Sequence, residues 1–280
     1  MIDLSRIVAK EGIGEGGNWK VYRCLLQDCS SVIVKESKGF VDMAIKGSIK
    51  KYQFIKALDI PTTSFLEVSS LDGKPVLVTE DLNSDNLCFV SPNSVKTEKD
   101  ELLACLRDNL TPCLSSERID SKSEQYFYKN KIKEISNFPS FLQRVKEDIN
   151  KAACHNISIA FDCYFFSIEK GKSCSVIDYK IADWDNIEEC EDIDFKDLLN
   201  VNIVEFQEAM FKFLELFVQE GEKRELYQLL TSNLTLLMQQ TKLFMRLSKY
   251  RSKTSLKLKS SVSLLFQSLL LLLPMLKGDK

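Results

Sequence analysis

Two runs of sequence indicate the fold of this chain: Ile13-Gly14-Glu15-Gly16-Gly17-Asn18-Trp19-Lys20-Val21-Tyr22 and, after it, Val32-Ile33-Val34-Lys35. Glycine has no Cβ, so the backbone of a hairpin built around Gly14, Gly16 and Gly17 can approach phosphate oxygens closely. Strand-forming residues follow these glycines, and the next strand-forming run ends at Lys35, a cation that can pair with phosphates. We therefore predict a nucleotide site in which these three glycines and Lys35 contact the phosphates.

The residues around this stretch predict a β-rich first part of the chain. Residues 5–37 predict hairpins, because short β-branched and aromatic runs alternate with glycines. From Val41 to Leu58 the apolar residues recur at helical spacing, and Pro61 ends the pattern. Two further strands and the turn signal between them follow in this order: Ser64–Val68, Asp72-Gly73 and Pro75–Thr79.

The rest of the chain predicts mainly helices, so the fold class is α+β with a boundary near residue 83. Phe141–Ala153 has the pattern of an amphipathic helix, and the pattern from Phe195 onward is helical. Between them, Cys163–Ile168 and Ser175–Ile177 predict two strands around a turn that contains Gly171. Residues 84–138 are polar and irregular and predict no definite element.

The order strand, glycine loop, strand, lysine resembles the N-lobe of protein kinases. The resemblance implies a two-lobed fold, with a β-rich N-lobe over residues 1–83 and a helical C-lobe over residues 84–280. It also implies ATP and Mg²⁺ as ligands, with adenine bound at backbone groups of Glu80 and Leu82, just after an apolar strand. Two features depart from the kinase pattern: Trp19 stands at the third glycine position, and residues 37–58 contain no glutamate to pair with Lys35.

Phosphoryl transfer needs one carboxylate to orient the acceptor hydroxyl and another to hold Mg²⁺, and two assignments compete for these roles. In the first, Asp162 is the catalytic carboxylate, acting with Lys35, and Asp178 is the metal ligand. In the second, Asp162 replaces a metal-binding asparagine and Asp183 is the metal ligand in Lys180-Ile181-Ala182-Asp183-Trp184-Asp185. The second assignment puts Ile157 at the catalytic position, which predicts an inactive site.

The first assignment is favoured by a further resemblance, to the lipopolysaccharide-core heptose kinases. Asp162-Cys163-Tyr164 is similar to the H-R-D-C-Y run of that family, and Ser175-Val176-Ile177-Asp178 to its S-V-I-D run. Lys196-Asp197-Leu198 follows at an interval similar to the family's K-D-L. The match covers patches of residues 75–215, and Ala160-Phe161 replace the family's His-Arg.

These resemblances imply an ATP-dependent phosphotransferase whose acceptor is a hydroxyl on a sugar, a lipid-linked glycan or a protein. The alternative is a pseudokinase that serves as a nucleotide-gated interaction or regulatory module, which Trp19 and the missing helix glutamate favour. A third alternative is a kinase fold adapted to another transfer, such as adenylylation.

Composition narrows the partners and the compartment. The net charge of −2 argues against a nucleic-acid partner. Nine cysteines without a CxxC pair predict free thiols, and the first residues lack the pattern of a signal peptide, so we expect a cytoplasmic protein. Near the C-terminus, residues 242–276 are basic and then apolar. The apolar run Ser261–Leu276 predicts a core helix, and the alternative is peripheral contact of the whole segment with an anionic membrane.

Overall fold

A computed structural model of the chain describes residues 2–15, 18–39, 41–84, 86–91, 95–96, 118–119 and 131–233. Internal contacts divide the chain into two compact units, Met1–Thr97 with Ser115–Leu234 and Glu98–Leu114 with Thr235–Lys280. Gly16, Gly17 and the segment 242–276 lie outside the described residues, so the predictions made for them remain predictions. The domain boundary predicted near residue 83 also remains a prediction.

The first part of the chain forms a five-stranded antiparallel sheet with the strand order β1-β2-β3-β5-β4. Its strands are β1 (Ile7–Glu15), β2 (Trp19–Leu26), β3 (Ser31–Ser37), β4 (Phe65–Leu71) and β5 (Lys74–Glu80). Helix α1 (Val41–Ala57) lies between β3 and β4 in the chain. The hairpins, the helix and the two later strands predicted for this part are confirmed.

A two-residue turn joins β4 to β5 at Asp72-Gly73. Both residues have positive φ, 52° and 76°, and Leu71 pairs with Lys74 across the turn. A hairpin turn with two positive φ angles matches the right-handed twist of the flanking strands, and Asp-Gly is a favoured sequence for it. The strand β5 thus lies between β4 and β3 in the sheet.

The later part of the chain contains more strand than the sequence predicted. Its strands are β6 (Leu87–Val90), β7 (Val95–Lys96), β8 (Arg118–Ile119), β9 (Glu134–Ile135), β10 (Ile157–Ile159), β11 (Tyr164–Glu169), β12 (Cys174–Ser175), β13 (Tyr179–Ile181) and β14 (Ile187–Glu189). A three-stranded sheet has the order β13-β11-β6, and β10 pairs with β14. The α+β fold class is confirmed, and the later part contains strands beyond the two that the sequence predicted there.

The predicted partner strand of β11 was placed wrongly. Residues Ser175–Ile177 do not pair with β11, and its partner is β13 instead. The side chain of Asn137 explains the difference: its Oδ1 accepts a hydrogen bond from the Ile177 amide at 2.9 Å, and its Nδ2 donates to the Ile177 carbonyl at 2.8 Å. A side chain thus satisfies the backbone groups that a neighbouring strand would otherwise bind.

Three helices complete the described part: α2 (Phe138–Cys154), α3 (Phe195–Phe217) and α4 (Glu220–Asn233). Asp194 caps α3, accepting a hydrogen bond from the amide of Asp197. The two predicted helical regions are confirmed as far as the described residues extend. Their apolar faces enclose a core of aromatic side chains, all at most 1% exposed: Phe138, Phe141, Tyr164, Phe166, Tyr179, Phe206 and Phe213. Across residues 2–233, with the gaps given above, no helix combines the length and the apolar character needed to cross a membrane.

Candidate functional site

Lys35 lies on β3, in the middle of the N-terminal sheet, where it is opposite Val21 of β2 and Leu77 of β5. The residue is only 9% exposed. Its Nζ donates a hydrogen bond of 3.2 Å to the carbonyl of Ala182 and lies 3.6 Å from Oδ1 of Asp183. The lysine predicted to bind phosphate is therefore directed at the segment after β13.

Asp183 is held in place by the elements on either side of it. The Ala182 amide donates a 3.0 Å hydrogen bond to the carbonyl of Cys163, which ties the end of β13 to the start of β11. Trp184, buried behind Asp183, donates from Nε1 to the Thr62 hydroxyl at 3.0 Å and packs on the Tyr52 ring. These contacts hold the Asp183 carboxylate facing Lys35.

Asp162 is in a short 3-10 helix, Phe161–Cys163, just before β11. Burial raises the pKa of its carboxyl group to about 6, and the negative charges of Asp183 and Glu205 add to the effect. The Phe161 amide donates to Glu205 of α3 at 3.0 Å, which anchors this turn on the helix. Asp162 is therefore fixed at the start of β11, close enough to Asp183 for the two negative charges to interact.

One oxygen of each of these two carboxylates lacks a hydrogen-bond partner. Oδ1 of Asp162 and Oδ1 of Asp183 are both buried atoms without such a bond. Oδ2 of Asp162 accepts from the side-chain Nδ2 of Asn186 at 2.7 Å, and Oδ1 of Asp183 has only the longer ion pair with Lys35. Buried polar atoms are normally satisfied, so this pair has the character of a cation site.

The two carboxylates suit a Mg²⁺ ion that also binds substrate phosphates and water, and they are too few to hold a metal ion by protein ligands alone. Within the described residues, no group of three or more His, Cys, Asp or Glu side chains is arranged to hold a metal ion. Mg²⁺ is commonly bound by one or two carboxylates together with substrate phosphates and water. Asp162 and Asp183, beside the cationic Lys35, supply the protein part of such a site.

The structure does not bring Asp178 to this place. It directly precedes β13, whereas Asp183 follows that strand, so extended backbone separates their Cα atoms by roughly 16 Å. The Asp178 carboxylate is half-exposed and pairs with Arg144 of α2 at 2.6 Å. Its carbonyl binds the Ser167 amide, at the opposite end of β11 from Asp162. The pairing of Asp162 with Asp178 in the first assignment is therefore not found.

The second assignment also gave a position to Ile157, on β10. Its side chain is buried, at 3% exposed, and its carbonyl accepts a hydrogen bond from Asn202 of α3 at 2.8 Å. The same Asn202 accepts a hydrogen bond from the Ile159 amide. Ile157 is thus part of the core, fixed by a buried side chain of α3.

The two residues predicted to flank the adenine lie at the end of β5 and just after it. The Glu80 carboxylate binds Lys180 of β13 at 2.7 Å and accepts from the Ser64 amide at 2.8 Å. Burial raises the pKa of Glu80, but these two partners outweigh it and the pKa is lowered. Leu82 is half-buried. The Glu80 side chain is therefore occupied by structural contacts, and its backbone amide also donates to the Ser64 carbonyl, at 3.0 Å.

Of the predicted loop glycines, Gly14 is the one in the described residues. It lies near the end of β1 opposite Val21, and a Cβ added to it would meet that residue's Cβ only at 4.0 Å. There is consequently room for a side chain at position 14, and neighbouring protein atoms do not explain the glycine.

Sequence reasoning missed Asp185, which connects three parts of the site. It accepts hydrogen bonds from Asn18 and Trp19 of the glycine hairpin and from Ser48 of α1. In the sequence it belongs to an acidic run that is typical of an exposed loop, so only its spacing from Asp183 could have distinguished it. Comparison of the sequence with protein-family models and with curated proteins gives no match, so the function has to be inferred from the site itself.

Proposed function

We propose that this chain is a protein-kinase-like nucleotide-binding module, with ATP and Mg²⁺ bound between Lys35 of the N-terminal sheet and the carboxylates of Asp162 and Asp183. The observation that carries the proposal is the pair of buried carboxylate oxygens without hydrogen-bond partners, next to a buried lysine. Mg²⁺ bound there would neutralise negative charge on the nucleotide phosphates. Lys35 would pair with the phosphates, and the two carboxylates would bind the metal.

The arrangement of the elements supports the kinase-like part of the proposal. A five-stranded antiparallel sheet with one helix between its third and fourth strands is the expected form of a kinase N-lobe, and the strand lysine lies on β3. The segment after β13 carries the carboxylate that Lys35 meets. This is the order of parts that the second assignment requires.

We further propose that the module has a regulatory or interaction role in place of phosphate transfer. The second assignment puts Ile157 at the catalytic position, and this apolar side chain is buried in the core. It cannot orient an acceptor hydroxyl or accept its proton. Asp162, the catalytic carboxylate of the first assignment, faces Asp183 and serves better as a second metal ligand.

Isothermal calorimetry with ATP, in the presence and absence of Mg²⁺, tests the nucleotide site. We expect Lys35→Ala and Asp183→Asn to weaken Mg·ATP binding at least tenfold, because each removes a charge that the bound complex needs. Asp162→Asn should weaken mainly the Mg²⁺-dependent part, since an amide is a poorer ligand for a hard dication. Asp178→Asn is the matched control, and it should bind as the wild type does.

Two results would contradict the proposal. A wild-type chain without affinity for Mg·ATP would remove the nucleotide site altogether. Loss of Mg²⁺ dependence in Asp178→Asn, with normal binding in Asp183→Asn, would restore the first assignment and with it the transferase.

A second candidate function is ATP-dependent transfer to a hydroxyl of a sugar, a lipid-linked glycan or a protein. The observation in its favour is the raised pKa of Asp162, about 6, because a carboxylate with such a pKa is suited to accept a proton near neutral pH. Mass spectrometry after incubation with Mg·ATP would detect phosphate or AMP on an acceptor. Transfer that Asp162→Asn abolishes while ATP binding persists would establish this function over the regulatory one.

A further inference from the structure

Helix α1 contacts the segment that carries Asp183, although none of the carboxylates of α1 lies near Lys35. Its one acidic residue, Asp42, is in the first turn of the helix. Instead, α1 supplies hydrogen-bond donors: Ser48 donates from its hydroxyl to Oδ1 of Asp185 at 2.6 Å, and Lys51 donates to the Asp185 carbonyl. The acceptor residue, Asp185, therefore belongs to the same segment as Asp183, which precedes it by two positions.

The glycine hairpin is connected to the same residue. Nε1 of Trp19 and Nδ2 of Asn18 both donate to Oδ2 of Asp185, the second oxygen of the carboxylate. Trp19 is 5% exposed, so this contact is shielded from water. Residues directly opposite each other in a sheet have their side chains on the same face, and Val21 is opposite Lys35. Two residues along β2 from Val21, Trp19 therefore shares the face of Lys35.

We propose that Asp185 is a positioning residue for the nucleotide site, holding α1 and the glycine hairpin against the segment that carries Asp183. The proposal rests on the proposed function, because it concerns the same nucleotide. One carboxylate joins its own segment to two elements that lie more than a hundred residues earlier in the sequence. Each of its oxygens serves a different element: Oδ1 binds α1, and Oδ2 binds the hairpin.

This arrangement bears on binding because the ligand groups lie on different elements. Lys35 is on the sheet, Asp183 is on the segment after β13, and the hairpin backbone must approach the same phosphates. When these groups are held in place beforehand, less conformational freedom is lost as the ligand binds, and the affinity rises. Without the Asp185 carboxylate, the hairpin and α1 lose these hydrogen bonds to the segment that carries Asp183, so we expect weaker binding of Mg·ATP.

Calorimetry and hydrogen exchange on the full-length chain test this role. We expect Asp185→Ala to bind Mg·ATP at least tenfold more weakly than the wild type. Without nucleotide, its backbone amides in both the β1–β2 hairpin and α1 should exchange faster. Glu189→Ala is the matched control: Glu189 also connects α1 to the later part of the chain, through an exposed ion pair with Lys50 at 2.7 Å, but that pair does not involve the hairpin. Its affinity should stay within about twofold of the wild type.

Two milder variants keep the test decisive if Asp185→Ala does not fold. Trp19→Phe retains the aromatic ring and removes the Nε1 donor, and Ser48→Ala removes only the hydroxyl. We expect each to weaken Mg·ATP binding a few-fold, with faster exchange confined to the hairpin in the first and to α1 in the second. Unchanged affinity in both would overturn the positioning role.

Other outcomes separate this inference from the proposed function. Suppose that Asp185→Ala binds Mg·ATP at least as tightly as the wild type, while Lys35→Ala does not bind it. This result would overturn the positioning role alone. Tighter binding would mean that Trp19 and Asp185 close the site against the nucleotide. A wild-type chain that does not bind Mg·ATP would overturn the proposed function, and the role of Asp185 in it.

Discussion

At the scale of single residues, Asp162 links the candidate site to the stability of the fold. Its carboxyl is buried near two other acids, and its pKa is raised from 3.8 to about 6. An acid with a raised pKa binds a proton more readily in the folded state than in the unfolded one. Its contribution to stability is therefore fully present below pH 3.8 and is lost as the pH rises through 6. The site is thus stabilised by protonation when no cation is bound.

This predicts that Asp162→Asn, measured without metal or nucleotide, is more stable than the wild type at pH 7.5. The gain should be at most about 3 kcal/mol, since a shift of one pKa unit corresponds to about 1.4 kcal/mol. Near pH 4 the difference should shrink, because the wild-type carboxyl is then protonated in the folded state. Urea denaturation at both pH values measures it. A difference that does not change with pH would show that Asp162 is not the group responsible.

At the scale of elements, the hairpin of β11 and β13 is shaped by a residue outside it. Asn137, just before α2, binds both backbone groups of Ile177. Ile177 therefore bonds to this side chain and not to β11, whereas its neighbour Asp178 bonds to Ser167 of β11. The paired strand β13 starts at Tyr179, and Asp183, beyond the far end of β13, is the carboxylate that reaches Lys35.

We therefore predict that Asn137→Ala lowers the free energy of unfolding by about 2 kcal/mol, because it leaves a partly buried amide and carbonyl without partners. It should also weaken Mg·ATP binding, since the position of β13 depends on the same contact. Asn150→Ala, on the exposed face of α2, is the control and should change stability by less than about 0.5 kcal/mol. Equal stability of the two variants, measured by urea denaturation, would contradict the structural role of Asn137.

At the scale of the whole described unit, one continuous core joins the N-terminal sheet to the helices. Trp19, Ile45 and Leu77 belong to the same cluster of buried side chains as Phe166 and Phe206. A second, smaller cluster is confined to the N-terminal part and includes Leu4, Cys24 and Val76. Because the larger cluster crosses from the sheet to the helices, the two parts should unfold together.

Hydrogen exchange at increasing denaturant concentration tests this cooperativity. We expect the most protected amides of β5 and of α3 to exchange through one global opening, with the same free energy and the same dependence on denaturant. Amides of β5 that opened at a clearly lower free energy than those of α3 would show that the sheet unfolds separately.

Elements whose signal is local could be predicted from the sequence. The glycine-rich stretch before strand-forming residues, the Asp72-Gly73 turn and the helical spacing after Val41 predicted the order along the chain of the N-terminal strands and α1, because hydrophobic period and turn chemistry depend on near neighbours. The same kind of signal singled out Lys35, the polar residue that ends an apolar strand.

Which carboxylate meets that lysine depends on the tertiary structure. Asp178 and Asp183 both follow apolar runs, and the choice between them depends on where β13 begins, which Asn137 fixes from some forty residues away in the chain. The Asp185 carboxylate accepts hydrogen bonds from residues 137 to 167 positions earlier, so its neighbours in sequence give no indication of these bonds. Contacts between residues more than a hundred positions apart arise when distant segments pack together. Local patterns in a single sequence predict the segments but not which of them pack together.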